Sequence, residues 1–392
     1  MNHDIKLTAA EYRLRKCLLG LVEQLPASPR TLSKMQIRGL HSGKRLSVMA
    51  TMNGSFDCHL RLLREHLAHP REIAVSEINP SLSIVVGNTQ DSQLFNAASL
   101  LWSVPVSKGF GRRIRYLVRD KNNGKLIGII GLTDPVFNLA PRDAWVGWNA
   151  SDRAERLIHV MDAFVLGALP PYSKILGGKL VALLATSKEV VTNFHQKYRT
   201  YEGIISKSKK DPRLVLLTTS SALGRSSLYN RLRIPGSVTF LTDVETDRVP
   251  TWYTQGYGHF HIPEDMFAEL QRVLVRRNHP YAKGNRFGNG PNWRIRVIRQ
   301  ATVELGIHTE VIQHGIRRQV YVIPLADNTR EILLGTRKRP SYITKTAAEI
   351  ADYWRERWAI PRAERHPAWR NWNVGGTIST LRRLHAIAER IG

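Results

Sequence analysis

The sequence predicts an α/β (α+β) fold: a mixed-sheet core over residues 103–250, a mostly helical region before it (1–102) and a basic α+β region after it (251–392). Three observations predict this. Between Ile158 and Leu232 two apolar runs each stop at a loop and give way to a helical pattern, as in strand–helix–strand units. The β-rich runs Arg113–Asp120 and Lys125–Leu132 are joined through Asn122–Gly124, and Asn-Gly in that position is a strong hairpin signal. The first hundred residues instead carry helical patterns at Leu7–Leu25, with Leu18, Leu19 and Val22 on one face, and at Ser55–His69.

The remaining elements follow in order. Ala144–Trp148 reads as a short strand. His159–Leu169 is apolar on both alternating sets (Val160, Phe164, Leu166 and Met161, Ala163, Val165), which suits a central strand covered on both faces. Lys179–Tyr198 reads as one helix with Leu180, Leu183, Leu184, Val191 and Phe194 along one side. A strand at Leu214–Thr219, a helix near Ser226–Leu232 and a strand at Val238–Leu241 close the core. Further on come an amphipathic helix (Pro263–Arg277), a basic Gly/Asn loop (Lys283–Asn292) and a helix at Trp293–Gly306. A strand at Gln319–Pro324 and a helix at Ala347–Trp358, striped by Ile350, Trp354 and Trp358, complete the chain, which has no internal repeat.

Composition narrows the function. Of 392 residues 58 are Lys or Arg and 32 are Asp or Glu, a net charge of +26, and such an excess points to a polyanion, most often nucleic acid. The plain alternative is a basic enzyme with a solvated cationic surface. The excess is densest from Met266 to Gly392, where 23 Lys/Arg stand against 10 Asp/Glu. Two cysteines, Cys17 and Cys58, give neither a disulfide framework nor metal-ligand spacing. No apolar leader and no membrane-length run are present, so a reducing cytoplasm is expected.

Several constellations are candidates for chemistry. The two loops after the apolar runs place backbone amides at helix starts, where anions bind. Lys174 and Lys179 stand at the first, and Ser220, Ser221, Arg225 and Arg231 at the second. Tyr229, beside those arginines, is a candidate covalent nucleophile on a phosphodiester or else a packing residue. His259 and His261 in GYGHFHIP alternate onto one face if the segment is a strand, and paired imidazoles can hold a divalent metal; two ordinary surface histidines are the alternative. Asp162, among apolar neighbours, needs a partner: Arg142 or Arg231 for an ion pair, or Asp143 or Asp134 for Mg²⁺ or Mn²⁺ binding and phosphodiester cleavage. For nucleic acid the candidates are Arg294, Arg296 and Arg299 on one helix, then Arg317 and Arg318, then Arg337, Lys338 and Arg339. Trp369, Arg370 and Trp372 interleave aromatics with charge and can stack unpaired bases, or the tryptophans belong to the core.

Two resemblances come from these residues. Pro170–Lys179 (PPYSKILGGK) is similar in position to the pyrophosphate loop of general N-acetyltransferases, the GNAT superfamily, whose element order the core also resembles. That superfamily has Arg/Gln-x-x-Gly-x-Gly/Ala. Here Lys179 stands in place of the last small residue and crowds the cradle, which argues against acetyl-CoA as cofactor while leaving a GNAT-like frame. The phrases GRRIRYLVRD, DAWVGWN, DAFVLGALPPYSKILGGKL, TTSSALGRSSLYNRL, NWRIRVIRQATVELGI and HGIRRQVYVIPLADNTREILLG, over roughly 103–358, closely resemble the DruA family. That resemblance implies a bacterial protein of DNA-centred conflict, in anti-phage defence or a mobile element. It implies neither a catalytic mechanism nor a cofactor. The expectation is a DNA-binding and DNA-processing protein; a GNAT-like acyltransferase and a DNA-binding scaffold that recruits a nuclease or helicase are the alternatives. Oligomeric state is left open.

Overall fold

A computed structural model describes residues 6–25, 32–52, 54–107, 109–202, 209–242, 251–283, 291–308 and 310–391. Helices α1 (Ala9–Glu23), α2 (Lys34–Leu40), α3 (Ser42–Ala50) and α4 (Phe56–His66) come first, then β1 (Pro80–Ile84) and α5 (Gln90–Ser99). The hairpin β2 (Arg113–Asp120) and β3 (Leu126–Thr133) forms as its Asn-Gly turn requires, with Gly124 at φ 69°. α6 (Ala140–Val146) and α7 (Ala150–Arg156) precede the central strand β4 (Val160–Ala168). α8 (Gly177–Leu184) and α9 (Lys188–Tyr198) follow, then the two-residue pair β5 (Tyr201–Glu202) and β6 (Lys209–Lys210), then β7 (Leu216–Ser220). The last third holds α10 (Glu264–Arg276), α11 (Pro291–Glu304), β8 (Val320–Pro324), α12 (Thr329–Leu334), α13 (Ala347–Trp354), α14 (Ile360–Arg365) and α15 (Val374–Ile391).

The fold is the mixed α+β type expected. One six-stranded sheet runs in the order β1-β2-β3-β4-β7-β8, antiparallel throughout except for the parallel step β4–β7. It draws β1 from the first stretch of the chain and β8 from the last. Ile130, Met161, Leu217 and Ile323 point to one face, packed under α8, α9 and α13. The other face is covered in two pieces. Leu117, Ile129 and Val165 meet α4, α5 and α15, while Val160, Leu216 and Val322 meet α6 and α12. Between them the register sets Arg113, Thr133, Asp162 and Thr218 side by side across four strands, a polar row in the middle of a sheet. Among the described residues no helix is long and apolar enough to cross a membrane.

Several local expectations are corrected. Ala144–Trp148 is not a strand but lies in and just beyond α6, which Pro141 starts and left-handed Gly147 (φ 92°) ends. The single helix over Lys179–Tyr198 is two: α8 begins earlier, at Gly177, and the chain breaks at Ser187, whose hydroxyl caps α9 by accepting from Val190 N. Ser226–Leu232 is a run of turns, because Ser226 Oγ accepts from the amides of Leu228 and Tyr229 and Arg231 is left-handed (φ 58°). Val238–Leu241 makes only isolated bridges, and Gly256–Pro263 only one, Tyr257 with Gln313. The helix predicted to Trp358 passes through a wide turn at Arg355–Ala359 into α14, ahead of Pro361. Most of the basic loop Lys283–Asn292 lies outside the described residues.

Candidate nucleic-acid interface

The first loop does not present an open cradle. After Leu176 (φ 63°) α8 starts with two glycines that the packing requires: a Cβ at Gly177 would stand 2.7 Å from Tyr172 O, and one at Gly178 would collide with Leu228. Trp354 Nε1 donates to Leu176 O at 3.0 Å. The start of α8 is thus covered by an indole and a leucine. Lys179, expected to meet a phosphate, turns inward: its Nζ donates to Leu228 O at 3.2 Å and lies 5.0 Å over the Trp358 ring, and burial lowers its pKa. It ties the two loops together. Lys174 remains exposed.

The second loop closes the gap beside β4. The parallel ladder covers only Val160–Asp162 against Leu216–Thr218. Beyond it side chains take over: Thr219 Oγ1 donates to Ala163 O at 2.8 Å and Tyr229 OH to Leu166 O at 3.2 Å. The Tyr229 ring lies 5.3 Å edge-on to Tyr321 and 5.8 Å from Phe240, and burial raises its phenol further from ionisation. This geometry fits the packing alternative rather than a nucleophile. Tyr229→Phe is expected to cost about 1–2 kcal/mol of stability, measured by denaturant midpoint. Ser220 is exposed and Ser221 buried. With the Asn230 amide turned so that its oxygen faces Arg225, the guanidinium donates to that oxygen at 2.6 and 3.2 Å, and Arg231 is exposed.

His259 and His261 are not alternating strand residues. His261 Nε2 lies 2.8 Å from Val311 O, and the rings of His41 and His314 pack on Phe260 at 4.1 and 4.8 Å. Burial holds these imidazoles neutral, helped by Arg318 beside His41 and His314 and by Arg294 beside His259. His41 and His259 fall to about 4 and His314 to about 3. Among the described residues no group of three or more His, Cys, Asp and Glu is placed to hold a metal.

The carboxylates are separated by arginines. Asp143 pairs with Arg142 at 2.6 Å and with Arg153 at 3.4 Å, and Asp134 pairs with Arg112 at 2.7 Å. Neither pairs with Asp162. That residue accepts from Thr218 Oγ1 at 2.7 Å, and burial pushes its carboxyl up to about 6 against the pull of Thr218 and Arg142. The expected Arg142 ion pair therefore goes mainly to Asp143, leaving Asp162 the poised carboxylate of the polar row.

The cations divide into spent and available. Arg294 bonds Glu264 at 2.7 Å over the Phe267 ring, and Arg299 bonds Glu310 at 3.3 Å. Arg296 lies 6.0 Å from the Tyr281 ring, and Arg317 donates to Thr251 Oγ1 at 3.0 Å. Arg318 is largely enclosed, and that burial lowers its pKa. Trp369 is a core residue, 3% exposed, with Arg370 over its ring at 4.9 Å. Trp372 behaves differently. It lines a cleft of ≈ 690 Å³ together with Lys174 and with Arg45, a residue no sequence pattern singles out. A second cleft, of ≈ 560 Å³, is lined by Arg337, Lys338, Arg339 and Glu331. The sequence also passed over a cationic cluster at the start of β2, where burial and mutual repulsion among Arg113, Arg115 and Lys197 lower the pKa of Arg115 and Lys197.

Comparison with known proteins adds to this geometry. A family model described as Druantia protein DruA matches residues 31–335. The Druantia protein DruA of Escherichia coli (strain UMEA 4076-1) is 43% identical over 343 residues, covering 87% of this chain and 83% of that protein. No solved structure matches.

Proposed function

The chain belongs to the DruA family, and from that premise we propose that it is a DNA-binding protein of a Druantia anti-phage defence system. The observation that carries this reading is the lining of the two clefts: Arg45 and Lys174 in one, Arg337, Lys338 and Arg339 in the other, against a single carboxylate, Glu331. On a chain of net charge +26 such clefts attract phosphates and release counterions. Gel-shift titration should therefore give a log–log salt slope set by the number of phosphates held. A site holding 6–10 of them loses about 10³–10⁵ in affinity between 50 and 200 mM salt. Replacing Arg337, Lys338 and Arg339 with alanine should flatten that slope by about 2–3. A flat response, or no shift at low salt, overturns the proposal.

A second reading, phosphodiester cleavage or strand transfer by the same chain, is favoured by Asp162. A carboxyl titrating near 6 can take a proton from an attacking hydroxyl at neutral pH. Labelled single- and double-stranded DNA incubated with Mg²⁺ or Mn²⁺ tests it: cleavage abolished by Asp162→Asn supports the reading. Cleavage that survives Asp162→Asn removes the role of Asp162, and no cleavage in wild type returns the chain to a scaffold that recruits a nuclease or helicase. An acyltransferase role has less support, since Thr219 and Tyr229 hold the β4 carbonyls and Leu228 covers the start of α8. Calorimetry with acetyl-CoA should be silent.

A further inference from the structure

The cleft that joins Lys174 to Trp372 is assembled from distant parts of the chain. Pro170 and Lys174 come from the loop after β4, Arg45 from α3, and Asn371 and Trp372 from the turn before α15. Its volume, ≈ 690 Å³, lies within the usual range for small-molecule sites. The lining sets two cations, side-chain amides, the Thr377 and Thr380 hydroxyls and an indole beside the apolar Leu101, Pro170, Ala368 and Leu381, with no carboxylate among the described residues that form it. Arg45 donates through Nη2 to Leu100 O at 3.2 Å, whereas its Nε is shut off from water with no partner among the described residues. That Nε is as closed to a ligand as to water, so Arg45 meets an anion only through the rest of its guanidinium.

These features select among ligands. A bare phosphate would use the cations and leave the indole idle, and an acyl chain would do the reverse. A nucleotide uses both, because every base has a face that stacks on an aromatic ring and every phosphate accepts from Lys and Arg. We propose that this cleft takes one unpaired nucleotide, its base against Trp372 and its phosphate between Lys174 and Arg45. The proposal rests on the DNA reading only for the source of that nucleotide, an unpaired position in a strand rather than a free mononucleotide.

Fluorescence anisotropy with a labelled oligo(dT) and with a duplex of equal length, each measured on the full chain, tests it. Trp372→Ala should weaken oligo(dT) binding about ten- to hundredfold and leave the duplex within about twofold, while Trp372→Phe stays near wild type because stacking is kept. Lys174→Gln, at an exposed position where folding is not at risk, should lower the oligo(dT) salt slope by about 0.7. Loss on both DNAs together, or on neither, overturns the proposal, and in the second case a salt-dependent duplex shift leaves the DNA reading standing. Calorimetry with dTMP separates the sources: heat abolished by Trp372→Ala assigns the cleft to a free nucleotide, and silence beside the oligo(dT) effect assigns it to a strand. If wild type binds neither DNA, the DNA reading falls, and dTMP alone decides the cleft, silence overturning it.

Discussion

Arg142→Ala is expected to lower the unfolding free energy by about 3–5 kcal/mol, the usual consequence of removing one partner from a buried ion pair. The guanidinium is fully buried and every arm is used. Nε donates to Asp143 Oδ1, Nη1 to Val136 O and Nη2 to Phe137 O, each at 2.8 Å. Without it Asp143, 8% exposed, keeps only Arg153 at 3.4 Å and the Leu139 amide at 3.1 Å, and two loop carbonyls lose their donor. Lysine should recover only a minor part, since one ammonium cannot reach three acceptors held in a fork. Removing both charges, in Arg142→Leu with Asp143→Leu, should cost less than Arg142→Ala alone because no charge is stranded. Chemical denaturation reads all three. A loss below about 1 kcal/mol for Arg142→Ala would show the pair to be dispensable.

Asp162→Asn should act in the opposite direction. The folded-state value, about 6, lies above the ordinary 3.8, so the native protein binds this proton more tightly than the unfolded chain does. Stability is therefore lost as pH rises from about 4 to 6, and above 6 the ionised carboxylate costs about 3 kcal/mol. Asparagine still accepts from Thr218 Oγ1 and carries no charge. The variant should be more stable than wild type by up to that amount at pH 7–8 and indistinguishable near pH 4, as thermal melts across pH would show. A gain that does not fade on acidification contradicts the burial account.

How much of this could be read in the sequence depends on how local the cause is. The hairpin at Arg113–Thr133, the strands β4, β7 and β8, and α10 follow from alternation, an Asn-Gly turn and helical spacing, all contained within a few residues. The apolar run at Ala144–Trp148 misled because Trp145, Val146 and Trp148 resemble a strand, although Pro141 and Gly147 bracket a helix. Ser187 was the legible sign that α8 and α9 are separate. The site was harder. Lys174 and Trp372 were each readable as candidate phosphate and base partners, but no pattern links a loop after the central strand to a turn near the end of the chain. Nothing near Arg45 distinguished it from other arginines. Lys179 read as a phosphate ligand because its inward partners, Leu228 and Trp358, are chosen only by the tertiary fold.

The last helix bears on the order in which the molecule can be made. Ile378, Leu381 and Ala388 of α15 belong to the same apolar cluster as Met49, Phe56 and Leu60, and His385 stacks on Phe56 with ring centroids 3.9 Å apart. A chain leaving the ribosome thus carries the partly bare faces of α3 and α4 through the synthesis of more than three hundred further residues. Throughout that interval those faces are open to chaperones, proteases and neighbouring nascent chains, and the docking of α15, rather than completion of the sheet, is the event that ends the exposure.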